Sequence, residues 1–165
     1  MKTYIMIDVK ANGPIPGQYS MTSLGAVVVD KKLDKTFSVN IKPISRHSIV
    51  SYAEISTDQG NALPAKKAMR LFNDWLKSLP ESELVFVSDN NGFDWMFVCW
   101  YLWRFVKENP FGYYSENMKS LYRGIKKDMS VIIKDIRAKE ASHSALEDAR
   151  DNAEVLLKLL EKVKK

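Results

Sequence analysis

The chain has 165 residues, 45% of them apolar, and a formal net charge of +5, a size and balance that suit one domain over residues 1–165 burying its core without covalent staples. A single cysteine, Cys99, excludes an internal disulfide and a cysteine-rich zinc site, and its apolar surroundings predict a buried, inert thiol. Tyr4-Ile-Met-Ile7 is too short for a signal peptide, and the run Phe93 to Val106 is too short and too interrupted by Asp94 and Arg104 to span a bilayer, so a cytoplasmic protein with no membrane attachment is expected.

Lys2 to Val9 alternates as a strand, with Asp8 at its end where the chain turns through Asn12-Gly13-Pro14. Leu24 to Val29 and Thr36 to Ile41 are two further strands, joined in a hairpin by the turn at Lys31-Lys-Leu-Asp34. The period then changes. Pro64 suits the first residue of a helix whose buried stripe is Ala68, Phe72, Trp75, Leu76 and Leu79. Leu84-Val-Phe-Val87 is short and wholly apolar, as a central strand buried on both faces would be. A second helix, from near Phe93 to about Val106, is apolar almost all round, which predicts deep packing. Shorter helical pieces follow over Ser115 to Ile125 and Met129 to Ile136, and a last helix over Ala145 to Val163 carries Leu146, Ala149, Ala153, Leu156, Leu157 and Leu160 on one face. No repeat or linker interrupts this order, which predicts an α/β fold: a mixed β-sheet flanked by helices.

Charge is uneven. Lys119, Arg123, Lys126, Lys127, Lys134, Arg137 and Lys139 form a loose basic segment for which a polyanion such as nucleic acid is a natural partner. A solvated basic face with no ligand gives the same pattern. Lys162, Lys164 and Lys165 complement a helix C-terminus. His47 lies in a polar segment with no acidic neighbour and is assigned no role.

The residues with chemistry lie in three short segments. Asp8 leaves a strand, and Asp94 falls in the first turn of a helix, where the dipole favours an acid whether or not it binds metal. In His143-Ser-Ala-Leu-Glu-Asp148, Ser144 and Glu147 fit a capping box, which assigns His143 and Asp148 to the two positions that usually touch as a hydrophobic staple. A titratable pair there would set an imidazole beside a carboxylate at a helix mouth. Hard dications take oxygen ligands, and two of them ~3.5–4 Å apart can clamp the attacking and leaving oxygens of a phosphodiester. A histidine with an ordinary pKa near ~6.5 can accept the proton of the attacking water.

Asp8-Val-Lys10, Asn90-Asn-Gly-Phe-Asp94 and His143-Ser-Ala-Leu-Glu-Asp148 resemble, in order and over the whole chain, the motifs of the DEDDh 3′-to-5′ exonucleases, the superfamily of ribonuclease T and the proofreading exonuclease domains. Asn109-Pro-Phe-Gly-Tyr113, Ser120-Leu-Tyr-Arg-Gly124 and the residues after Asp148 resemble a small, mostly bacterial subgroup. The resemblance implies a ribonuclease H-like fold and two ions of Mg²⁺ or Mn²⁺. Asp8 would bridge both, Asp148 would hold the first, Asp94 would support the second, and His143 would be general base. It implies attack at a free 3′ end of RNA or DNA with release of nucleoside monophosphates, and relatives of this kind are commonly homodimers. Asn12, Trp95, Lys126 and Lys127 are the candidate nucleic-acid contacts, Trp95 as a stacking platform or, equally, a core tryptophan.

Lys10 departs from the pattern, standing where the family has a Glu that binds the first metal. At ~4 Å and an effective dielectric near ~20 a pair of unit charges is worth about 4 kcal/mol, so an ammonium facing a dication weakens that first metal. The ammonium is instead expected in the metal's place, pairing with Asp8 and Asp148. Three readings follow: an exonuclease impaired by Lys10, a pseudonuclease that binds nucleic-acid ends without cutting, and a structural domain whose basic helices are merely solvated.

Overall fold

The structure, a computed structural model, describes residues 2–49, 61–133, 136, 142 and 144–163. Its frame is a five-stranded sheet in the order β3-β2-β1-β4-β5. β1 (Lys2–Ala11), β2 (Met21–Val28) and β3 (Thr36–Asn40) form an antiparallel meander. The chain then crosses through helix α1 (Ala65–Ser78), so that β4 (Glu83–Ser88) lies parallel to β1, and β5 (Ser115–Asn117) parallel to β4. Helices α2 (Asn91–Phe105), α3 (Met118–Lys126) and α4 (Ala145–Val163) complete the described elements. A mixed sheet with helices on both faces is the ribonuclease H-like arrangement expected.

Strand alternation divides the interior in two. Ile5, Ile7 and Val9 of β1, with Leu24, Ala26 and Phe86, pack under α1 and α2 against Phe72, Phe97 and Tyr101. Met6, Val27 and Val87 face the other way, onto Ala149, Ala153, Leu156 and Leu159 of α4 and Met118 and Tyr122 of α3. Because successive side chains of a strand point to opposite faces, Asp8 and Lys10 share the face of Met6, toward α4. The ladder between β1 and β2 slips one residue between Lys10 and Ala11. That bulge returns Met21 to the first core although it has the parity of Val27.

Several elements differ from the sequence expectation. β1 does not end at Asp8 but continues to Ala11, so Asp8 sits inside a central strand. Ser115 to Asn117, expected in a helix, forms the short edge strand β5, held by backbone pairing to β4. Residues 129–133 hold only turns and a 3₁₀ residue at Ile133; the rest of that expected helix lies largely outside the described residues. Helix α2 is buried along one side only, at Asp94, Phe97, Val98, Tyr101 and Leu102, while Trp103 is 49% exposed. Cys99 on that helix is half-buried, with its thiol pKa pushed up by burial. No helix among the described residues is long and apolar enough to cross a membrane.

Candidate active site

The C-terminal ends of the parallel strands β1 and β4 and the N-terminal turns of α2, α3 and α4 meet around a cleft of about 270 Å³. Its wall includes the carboxylates of Asp8, Asp89, Asp94 and Asp148 and the ammoniums of Lys10 and Lys119. Strand β1 supplies Asp8 and Lys10, β4 runs out toward Asp89, α2 supplies Asp94 in its first turn and α4 supplies Asp148 in its own.

A glycine sets how closely α4 approaches. Gly25 of β2 lies opposite Asp8 in the ladder, and a Cβ on it would overlap the Ala145 carbonyl and the Leu146 amide. With no side chain at that point, the first turn of α4 rests on the sheet and Asp148 reaches the strand that carries Asp8 and Lys10. The mouth of α4 is closed by Asp148 itself: its Oδ1 accepts from the Ser142 amide at 2.8 Å and from the Ser142 hydroxyl at 3.2 Å. Neither half of the expected capping box is made among the described residues. Glu147 pairs with Arg150 at 3.1 Å, and the Ser144 amide donates to Ser142 Oγ at 3.2 Å. His143, the expected general base, lies outside the described residues, as do Lys134, Arg137 and Lys139.

Lys10 is the centre of the cluster. Its Nζ lies 2.6 Å from Asp148 Oδ2, a hydrogen bond, and 2.8 Å from Asp8 Oδ2, an ion pair not aligned as a hydrogen bond. One ammonium thus ties β1 to α4 with both carboxylates on it. Burial pushes the Asp8 carboxyl up to about 6, with the neighbouring Asp148 and Asp89 adding to the rise and Lys10 opposing it. Burial also pushes Asp148 upward, but the bonds from Lys10 and Ser142 outweigh it and leave its carboxyl below the usual range. For Lys10, burial favours the neutral amine, yet the two carboxylates prevail and raise its pKa. The ammonium stays charged.

Asp94 is different. It is 2% exposed; Oδ1 accepts the Val9 amide at 3.0 Å, which locks α2 to β1, while Oδ2 is buried without an aligned hydrogen bond among the described residues, although the Ser88 side chain lies close enough to lower the carboxyl's pKa. Burial, then the charges of Asp8 and Asp89, push its carboxyl up to about 8. A buried carboxylate oxygen with no aligned hydrogen bond, beside a second carboxylate, fits a hard cation. The full two-dication set does not fit. The place shared by Asp8 Oδ2 and Asp148 Oδ2 is filled by the ammonium, and no group of three His, Cys, Asp or Glu among the described residues is arranged as a metal-ligand set.

The remaining sequence candidates stand away from the cleft wall. Asn12 is 2% exposed and its amide is engaged at both ends: Nδ2 donates to the His47 carbonyl at 3.0 Å and Oδ1 accepts the Ser20 amide at 2.6 Å. Its side chain holds the loop after β1. Trp95 is half-buried, edge-on to Phe86 with ring centroids 5.1 Å apart, so the core sets its orientation; Phe93 is the aromatic residue on the cleft wall. Lys126 and Lys127 are exposed at the far end of α3. Asp89 and Lys119, paired at 3.6 Å across the cleft mouth, belong to no motif of the sequence. A polar residue directly after an apolar strand is the one local sign of Asp89.

The model of the exonuclease family RNase T matches residues 5–156. The 3′-5′ DNA exonuclease Cap18 of Escherichia coli is 34% identical over 174 residues, covering 97% of this chain and 92% of that protein. Among solved structures, the nuclease domain of 3′hExo, a DEDDh family member bound to rAMP, superposes with a TM-score of 0.73 at 16% identity, over 96% of this chain and 92% of that one. E. coli Exonuclease I in complex with a dA16 oligonucleotide gives 0.73 at 13% identity, over 98% and 41%. At those identities the two structures bear on the fold alone.

Proposed function

We propose, from the premise that this chain belongs to the RNase T family of exonucleases within the DEDDh superfamily, that its acidic cleft receives the 3′ end of a nucleic-acid strand. Hydrolysis there releases nucleoside monophosphates at a rate that Lys10 holds far below what a glutamate would permit. DNA is the first substrate to test, because the relative of 34% identity is named a DNA exonuclease.

Asp8 and Asp94 would hold a single Mg²⁺ or Mn²⁺, with Asp94 Oδ2 offering the oxygen that lacks an aligned hydrogen bond. Bound there, the ion would polarise the scissile phosphate and offset its developing charge. The chain's own groups do the rest. Lys10 offsets one of the two charges carried by Asp8 and Asp148, so the strand's phosphates meet less repulsion than four bare carboxylates would impose. Asp148 stays ionised and holds the mouth of α4 through Ser142. His143, five residues before Asp148, is the base that would take a proton from the attacking water. Phe93 lines the cleft where a terminal base can stack.

The observation that carries this reading is the ammonium of Lys10 seated on both Asp8 and Asp148. It favours a second reading as well, in which the chain binds ends and does not cut. Incubation of a 5′-labelled single strand with Mn²⁺ separates them, using the protein and its Lys10→Glu variant. Slow cleavage by the protein and cleavage at least a hundredfold faster by the variant is the expected result. Cleavage by the variant alone establishes the binding reading, and cleavage by neither refutes the site.

A further inference from the structure

The cationic side of the cleft continues beyond Lys119. Helix α3 begins at the cleft mouth, and Arg123 and Lys126 follow Lys119 at four and seven residues. At ~100° per residue these three positions fall within an arc of about 60°. Lys127, in the left-handed C-cap with φ 52°, ends the row. The stripe's direction is fixed, because Met118 and Tyr122 on the adjoining side, about 90° round the helix, are buried in the core beneath α4. Nothing on the helix neutralises it: Met118–Lys126 contains no acid. Asp128, just past the end, is engaged with the amide and hydroxyl of Ser130 at 2.8 and 2.7 Å.

Cations in the last turn of a helix complement its dipole and need no ligand to explain them. Lys119 has no such explanation. It stands in the first turn, where the dipole disfavours a positive charge, and it is held across the cleft mouth by Asp89. A row that begins at an unfavourable helix position beside the acids and continues along one face is arranged along a path.

We propose that α3 is a phosphate track for the nucleic-acid strand upstream of the cleft, with Lys119, Arg123, Lys126 and Lys127 meeting successive phosphates. The track rests on the reading of the cleft as a 3′-end site. At ~1.5 Å per residue, Lys119 to Lys126 spans about 10 Å, enough for the long cationic side chains along it to reach more than one phosphate of a strand. Contacts of this kind position a strand without reading its bases, so binding should be indifferent to sequence.

The test is fluorescence anisotropy with labelled oligothymidylates of two and eight nucleotides in Mg²⁺, from 50 to 200 mM salt. The protein is compared with its Arg123→Gln/Lys126→Gln/Lys127→Asn variant. Each phosphate contact on a single strand contributes about 0.7 to the slope of log affinity against log salt, so losing three lowers the slope by about 2. Over that salt range the protein should lose roughly twenty-fold more affinity for the octamer than the variant does, while the dinucleotide binds both alike. The double variant Lys126→Gln/Lys127→Asn leaves in place the Arg123 Nε to Val131 carbonyl contact at 3.4 Å; it should lower the slope by about 1.4, which separates lost charge from a loosened helix. Equal octamer slopes for protein and variants, with the dinucleotide still bound, overturn the track and leave the cleft reading standing. Failure of the protein to bind even the dinucleotide refutes both.

Discussion

Replacing Lys10 by glutamate perturbs the site most directly. The ammonium lies 2.8 Å from one carboxylate and 2.6 Å from the other; at an effective dielectric of ~20 each such pair is worth about 6 kcal/mol before the desolvation of the ions is subtracted. Removing one partner of a buried ion pair costs about 3–5 kcal/mol in practice. The variant also adds a carboxylate to a cleft already lined by four, so the upper half of that range is expected. For a chain of this length ~1 kcal/mol moves the melting temperature by roughly 2–4 °C, so Lys10→Glu should melt about 10 °C lower in EDTA. Mn²⁺ at ~1,000 times its dissociation constant contributes about 4 kcal/mol to a form that binds it only when folded. The variant should therefore recover most of its loss on adding Mn²⁺, whereas the protein should shift much less. Thermal melts followed by circular dichroism, with EDTA and with Mn²⁺, read both effects without relying on catalysis. If the variant in EDTA is as stable as the protein, or if Mn²⁺ raises both equally, Lys10 is not standing in for a cation.

Gly25→Ala should destabilise the fold by about 1–3 kcal/mol through overpacking against the backbone of α4; because that contact brings Asp148 to Lys10, the alanine variant built on Lys10→Glu should also lose Mn²⁺ response in the same melts. In the metal-free protein Asp8 and Asp94 titrate near 6 and 8, above the ordinary 3.8, so the folded state binds protons more tightly than the unfolded chain. Their contribution is most favourable below pH ~4, declines as pH rises through both values, and is fully unfavourable above pH ~8. Asp94→Asn, which keeps an acceptor for the Val9 amide, should flatten that decline and raise the melting temperature at pH 9 in EDTA; an unchanged pH profile would contradict the assigned burial cost. Tyr101→Phe removes the hydroxyl that accepts the Met21 amide at 2.8 Å, and leaving that buried donor unpaired should cost about 1–3 kcal/mol in urea unfolding.

The parts of the fold legible in the chain are those whose signal is local. Helix α4 spans Ala145–Val163 as its apolar spacing indicates, and the three meander strands lie where their β-forming runs put them, within a few residues. β5 was not legible because Ser115-Glu-Asn117 is polar and short; it is a strand only through its backbone bonds to β4. The packing of helix α2 is not legible either, for the opposite reason. Hydropathy reports which side chains are apolar, and only the position of α1 and the sheet decides that Phe97 and Tyr101 are covered while Trp103 is not.

The same division holds for the site. By itself the chain specified the acids at 8, 94 and 148 and the charge reversal at position 10, since motif spacing and residue chemistry need no coordinates. Tertiary structure alone decided that the Lys10 ammonium falls between Asp8 and Asp148, that Gly25 admits the helix carrying one of them, and that Asn12 turns inward to brace a loop. Asp89 and Lys119 join the cleft for the same reason. A carboxylate's pKa and an ammonium's partner depend on groups within a few ångströms, and residues 138 positions apart become such neighbours only when a sheet and its helices close around them.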